Sequence, residues 1–153
     1  MSAHATGGDT LRDLGAIFLV AVALNYPWEL AHGPLFVGMD SFRAMGWHCF
    51  VAALGDGVLV WIIHATGCAA FQRADWFERP GLAGYAVMLG MGLALAVGVE
   101  WIAVHTLHRW AYTARMPLIP GLGIGVTPVL QMLVLPPLVF YLAAKTVIQC
   151  RWR

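Results

Sequence analysis

The chain has 153 residues, 60% of them hydrophobic and 11% charged, with a net charge of +1. A soluble domain carries about 25% charged residues, so there is too little charge here to coat a globule of this size. The balanced charge and the lack of a long basic run also argue against nucleic-acid binding. Long, nearly uncharged apolar runs predict instead an all-α, polytopic membrane protein, one domain over residues 1–153.

Residues 1–13 are mixed in charge, with Asp9, Arg12 and Asp13. The first apolar run, Leu14 to Leu30, ends in Asn25-Tyr26-Pro27-Trp28-Glu29 rather than in a small-residue cleavage site, so it reads as an uncleaved span. The second span runs from about Trp47 to Ala70, the third from Leu82 to Leu107 and the fourth from Ile124 to Ala144. Each approaches or exceeds the ~20 residues that cross ~30 Å of hydrocarbon. Short connections favour antiparallel neighbours, which predicts an up-down four-helix bundle.

Lys and Arg set the expected orientation. Arg12, Arg73, Arg79, Lys145, Arg151 and Arg153 fall on one side, and Arg43, Arg109 and Arg115 on the other. The richer side carries both termini, which are therefore expected in the cytoplasm. Gly90, Ala94 and Gly98 in the third span form a small-residue stripe that lets a helix approach. Pro128, Pro136 and Pro137 predict a kinked fourth span. The Gly121–Gly125 run before it reads as a flexible loop. Cys49, Cys68 and Cys150 make no Cys-x-x-Cys pair and read as free thiols.

The polar residues inside the apolar runs are the informative ones. Glu29, Asp56 and Glu100 are three of the chain's eight acidic residues. A charge at the centre of a span costs ~2.5–3.5 kcal/mol on insertion scales, so such residues pair, protonate, bind something or line a wet cavity. Asn25, Glu29 and His32 share a helical face at ~100° per residue. Asp56 lies between Gly55 and Gly57, which should let neighbouring backbones approach the carboxyl. Glu100 and Gln131 fall at a similar depth, so every span offers a polar group in the expected outer half of the bilayer. In the inner half His64 is the obvious counterpart.

Two desolvated carboxyl groups suit acid–base chemistry, one giving a proton and its neighbour taking it. Glu29, Asp56 and Glu100 are the expected catalytic groups. Asn25, His48, Trp101, His105, Arg109, Trp110, Tyr112 and Gln131 are the expected binding residues around them. Tryptophan faces stabilise a passing cation, although Trp28, Trp47, Trp101 and Trp110 also fit an interfacial belt. Arg109 is placed to neutralise Glu100 or Glu29, or to hold a lipid phosphate. His32, His48, His105 and His108 cluster on the outer side, but their spacing matches no metal motif, and the expected metal set is none. No cofactor follows from the sequence; a tetrapyrrole, which needs one axial histidine, stays open. Trp28-Glu29 with His32, and Glu100-Trp101 with His105, make a faint echo between the first and third spans.

At these residues the chain resembles a group of small bacterial four-span integral membrane proteins to which no activity is attached. Trp28-Glu29-Leu30, Trp47-His48-Cys49 and Gly55-Asp56-Gly57 carry the resemblance. So do Glu100, Arg109-Trp110-Ala111-Tyr112, Met116-Pro117, Pro120, Pro128 and Gln131. It implies a multi-pass protein of the bacterial inner membrane. The acid-lined, Trp-rich spans are also generally similar to sterol isomerases and terpenoid cyclases, by analogy of site chemistry alone.

Three functions compete. The first is binding or acid–base conversion of a hydrophobic small molecule, isoprenoid, sterol-like or another lipid. The second is an accessory subunit of a respiratory or photosynthetic complex, contacting a pigment or metal cofactor and other membrane subunits. The third is a proton or ion pathway.

Overall fold

The computed structural model describes residues 7–39 and 41–151. Four helices long and apolar enough to cross a membrane dominate it. They are α1 (Gly7–His32), α2 (Phe42–Phe71), α3 (Gly81–Trp101) and α4 (Val126–Arg151). The fold is all-α and fits a multi-pass membrane protein, with helices extending past the expected spans at most ends.

Neighbours run antiparallel. Near one end Trp61 of α2 donates its indole N–H to the Leu14 carbonyl of α1 (3.0 Å). Near the other, Gly33, just after α1, lies against the side chains of Met45 and Cys49. α1 packs on α2 and α4, and α3 packs on α4. Contact between α2 and α3 is the thinnest of the four seams.

The α3–α4 seam rests on a stripe the sequence reading passed over. Gly84, Met88, Gly92, Ala96 and Glu100 recur every four residues and are all buried. At Gly92 the Met132 carbonyl of α4 occupies the space a Cβ would need. Gly90 and Gly98 of the expected stripe face away from the bundle, with nothing within 4 Å of a Cβ built on either. Two residues of offset is ~200° of rotation, so the two stripes are opposite faces of one helix.

One end of the bundle is stoppered. After α2 the chain folds back, and Trp76 and Phe77 enter the core beside Phe140 of α4. The Trp76 indole donates to the His64 carbonyl (3.1 Å), and His64 Nε2 bonds to the Ala74 carbonyl (3.0 Å). Gly67 is required here, because a Cβ would run into the Trp76 ring. His64 is thus absorbed by the stopper.

The opposite end is capped by loops. α3 finishes in a π-helical turn, Ile102–Thr106. The chain then returns so that Tyr112 bridges Phe36, with Val37 N–H bonded to the Ala111 carbonyl and Thr113 N–H to the Leu35 carbonyl. The glycine run is an ordered hairpin rather than a flexible loop. β1 (Leu118–Ile119) pairs with β2 (Ile124–Gly125), and Gly121 and Gly123 take the positive φ values its turn needs. Pro128 falls in the first turn of α4, where a helix N–H has no partner to lose. Pro136 and Pro137 are interior to that helix.

The seam yields a contrast between two glycines. Gly92→Leu should overpack against Met132 and lower stability by ~1–3 kcal/mol, whereas Gly90→Leu should stay within ~0.5 kcal/mol of the parent. Thermal unfolding of both variants in one detergent measures the difference.

Candidate functional site

The site is built around one amide. Gln131 stands in the second turn of α4 and is buried. Its Nε2 lies 2.8 Å from each of three oxygens: Asn25 Oδ1, Glu29 Oε1 and Asp56 Oδ2. A side-chain amide nitrogen carries two hydrogens. Three acceptors on two donors leave one oxygen short, and two of the three belong to carboxyl groups. Glu29 and Asp56 thus converge on one amide nitrogen. Asn25 is fixed in turn by donating its own amide hydrogen to the Ala21 carbonyl (2.8 Å).

Glu29 has a second partner. Its Oε2 lies 3.0 Å from Nε2 of His32, one turn along α1, at ion-pair distance but off the line of a good hydrogen bond. Both side chains are largely withdrawn from solvent.

Glu100 approaches from α3 and is buried. It accepts hydrogen bonds from the Tyr112 hydroxyl and, at 3.4 Å, from the Trp110 indole. Tyr112 lies outside the spans. Its burial, and then its bond to Glu100, push the phenol above its ordinary pKa. It therefore stays protonated, and stays a donor, through neutral and moderately alkaline pH. The contact's contribution to stability is full below pH ~10 and is lost only as pH rises further.

Between these groups lies a cavity of about 780 Å³, within the usual range for small-molecule sites. Glu29, Asp56, Glu100 and Gln131 line its depths, and His108, Arg109 and Trp110 its rim. Val51, Ala52 and Gly55 of α2 and Val99 of α3 also line it and are exposed on the bundle's flank. The cavity thus opens sideways through the thin α2–α3 seam, along apolar walls. Gly55 leaves that wall open, with nothing within 4 Å of a Cβ. Gly57 does not admit a backbone, as its spacing suggested; it makes room for the Phe18 ring, 2.7 Å from where a Cβ would stand.

Of the residues singled out from sequence, Asn25, Glu29, Asp56 and Gln131 meet directly. Glu100, His48, Arg109 and Trp110 share their cavity, and Tyr112 reaches Glu100 from the cap. Trp101 and His105 do not join them. Trp101 follows Glu100 by ~100° and is 48% exposed on the flank. His105 is exposed in the π turn, with Nε2 bonded to the Leu122 carbonyl (3.0 Å). The echo between spans therefore fails in three dimensions: His32 turns inward beside its glutamate, and His105 turns outward. Arg109 is exposed at the rim, and Trp110 and Tyr112 supply Glu100's hydrogen bonds in its place. His108 Nδ1 bonds to the Val104 carbonyl (3.0 Å). Among the described residues no group of three or more His, Cys, Asp or Glu side chains is arranged to hold a metal ion.

His32 and Cys49 are cavity residues absent from the expected site. His32 was legible from its i, i+3 spacing to Glu29 on the Asn25 face. Cys49 carried no signal beyond its place on α2.

No protein-family model, curated protein or solved structure matches this chain. Of the expected resemblance, the four apolar helices support a small multi-pass membrane protein and nothing finer, and the site must be read from its own chemistry.

Gln131→Leu removes the donor shared by the buried Asn25 and the half-buried Glu29 and Asp56. At ~1–3 kcal/mol for each unsatisfied group, it should be among the most destabilising single changes in the bundle. Adding Asp56→Asn, which brings a new amide donor, should recover part of the loss in thermal unfolding. In a spectrophotometric titration of the four tyrosines, Tyr112 should ionise after the usual phenol range near pH ~10. Tyr112→Phe should remove that late step.

Proposed function

We propose that this protein binds a hydrophobic small molecule, of isoprenoid, sterol-like or similar lipid type, within the membrane and acts on it by acid–base chemistry. The supporting observation is the sideways opening of the cavity. Its apolar α2–α3 mouth leads to three carboxyl groups, so a ligand dissolved in the bilayer reaches them without crossing water. Glu29 and Asp56, bridged by Gln131, form the proton-exchanging pair. Glu100, fixed by Tyr112 and Trp110, is the second acid, on the opposite wall. Trp110 offers an aromatic face to any positive charge that develops. We place the chain in a bacterial inner membrane with both termini cytoplasmic, on the Lys and Arg distribution, which sets the cavity in the outer half.

A proton or ion pathway has less support. Below the Gln131 cluster, Ile17, Ala21, Val60, Ile63, Leu135 and Val139 are all buried. They form an apolar layer between the cavity floor and His64.

Gly55→Phe offers a test, because it adds bulk where a Cβ meets nothing and so fills the mouth without disturbing the fold. Protein purified in mild detergent should carry a co-extracted apolar lipid, identified by mass spectrometry, at near-stoichiometric amounts. Gly55→Phe should lose it by about tenfold while unfolding at the parent's temperature. Equal lipid content in the two proteins contradicts the proposal.

A further inference from the structure

One cation at the cavity's rim is left without a counter-charge. Arg109 lines the cavity at its loop end and is exposed there. A guanidinium does not lose its charge in a protein. The role expected for it inside the fold is taken, because Glu100 receives its hydrogen bonds from Tyr112 and Trp110. Among the described residues no carboxylate pairs with the Arg109 side chain. The backbone fixes its place all the same. The Arg109 N–H bonds to the Ala103 carbonyl (2.8 Å). His108 before it takes a left-handed φ of 49°, with Nδ1 on the Val104 carbonyl (3.0 Å). A residue in that conformation ends a helix and turns the chain, and Arg109 is the next one along. Charge is also segregated within the cavity. Its carboxyl groups, Glu29, Asp56 and Glu100, lie in the depths, and the exposed polar residues at the loop end are His48, His108 and Arg109. The described acids outside the cavity, Asp9, Asp13, Asp75 and Glu78, belong to the start of α1 and the α2–α3 connection, at the other end of the bundle.

We propose that Arg109 holds the phosphate headgroup of an amphiphile whose apolar chain lies in the cavity along the α2–α3 flank. This rests on the preceding reading of the cavity as a lipid site and names its ligand class. A guanidinium meets a phosphate with two parallel N–H donors. One continuous space offers both surroundings that such a molecule needs. Val51, Ala52 and Val99 are its exposed apolar wall on the flank, and Arg109 is its cation at the loop end. A free phosphate would use the rim and leave that wall empty. An uncharged lipid would use the wall and leave the guanidinium unpaired. A headgroup anchored at the rim also sets the chain, and not the phosphate, against the carboxyl groups in the depths.

The test titrates geranylgeranyl monophosphate, geranylgeraniol and inorganic phosphate into the purified protein in one non-ionic detergent. The monophosphate should bind about fivefold more tightly than the alcohol, the scale of one exposed ion pair. Inorganic phosphate should not bind at the concentrations that saturate with the monophosphate. Arg109→Gln should bring the ratio of the two prenyl probes to about one and leave alcohol binding unchanged. Arg115→Gln removes the same charge at the same end, from a residue outside the cavity wall, and should keep the parent's ratio. Both arginines are exposed, so both variants should unfold at the parent's temperature. Equal binding of the two prenyl probes by the parent overturns the role of Arg109 and leaves the lipid-site reading intact. So does a preference that survives at Arg109→Gln, or one that is lost equally at Arg115→Gln. Inorganic phosphate bound as tightly as the monophosphate makes the rim a site for the free anion and overturns the amphiphile. Binding of neither prenyl probe overturns both readings.

Discussion

Burying carboxyl groups inside a membrane is the constraint on which the rest of this structure depends. Each charge costs ~2.5–3.5 kcal/mol at the centre of a span, and α1, α2 and α3 each bring one. Gln131 makes the arrangement tenable. Its amide, supplied by α4, stands 2.8 Å from oxygens on α1 and α2, so one side chain joins three helices at one level. Because two of its three partners are carboxyl oxygens, the same amide draws the acids of α1 and α2 to one point.

The remainder of the fold determines what can reach those carboxyl groups. Trp76, Phe77 and Phe140 seal one end of the bundle, and the apolar layer from Ile17 to Val139 separates that seal from the acids. At the other end the Phe36–Tyr112 bridge ties two loops together and delivers Tyr112 and Trp110 to Glu100. What stays open is the α2–α3 flank. The cavity is thus lined by exposed apolar residues on that flank as well as by exposed polar ones at the loop end.

Much of this was legible in the sequence, and the failures have definite causes. The spans followed from hydropathy, and the shared level of Asn25, Asp56, Glu100 and Gln131 from counting residues inward from the span ends. The inward face of α3 was missed because Gly90, Ala94 and Gly98 looked like a packing stripe, whereas the stripe that packs includes Met88 and ends on Glu100. Trp101 and His105 were misplaced because nearness in sequence to Glu100 was read as nearness in space. The hairpin at Leu118–Gly125 was hidden by its glycines, which serve a turn of defined φ rather than flexibility. His32 was on the Asn25–Glu29 face by its spacing and was left out of the expected site all the same.

The most direct measurement is modification by a lipophilic carbodiimide, which attacks protonated carboxyl groups from the hydrocarbon phase, against a water-soluble carbodiimide as control. Peptide mapping after reaction in membranes should find the lipophilic reagent on Glu29 or Asp56 and the soluble one on neither. A disulfide introduced across the mouth with Ala52→Cys and Val99→Cys should suppress the labelling. Labelling of both residues by the soluble reagent, or of neither by the lipophilic one, would contradict a proton-sharing pair that opens to the bilayer.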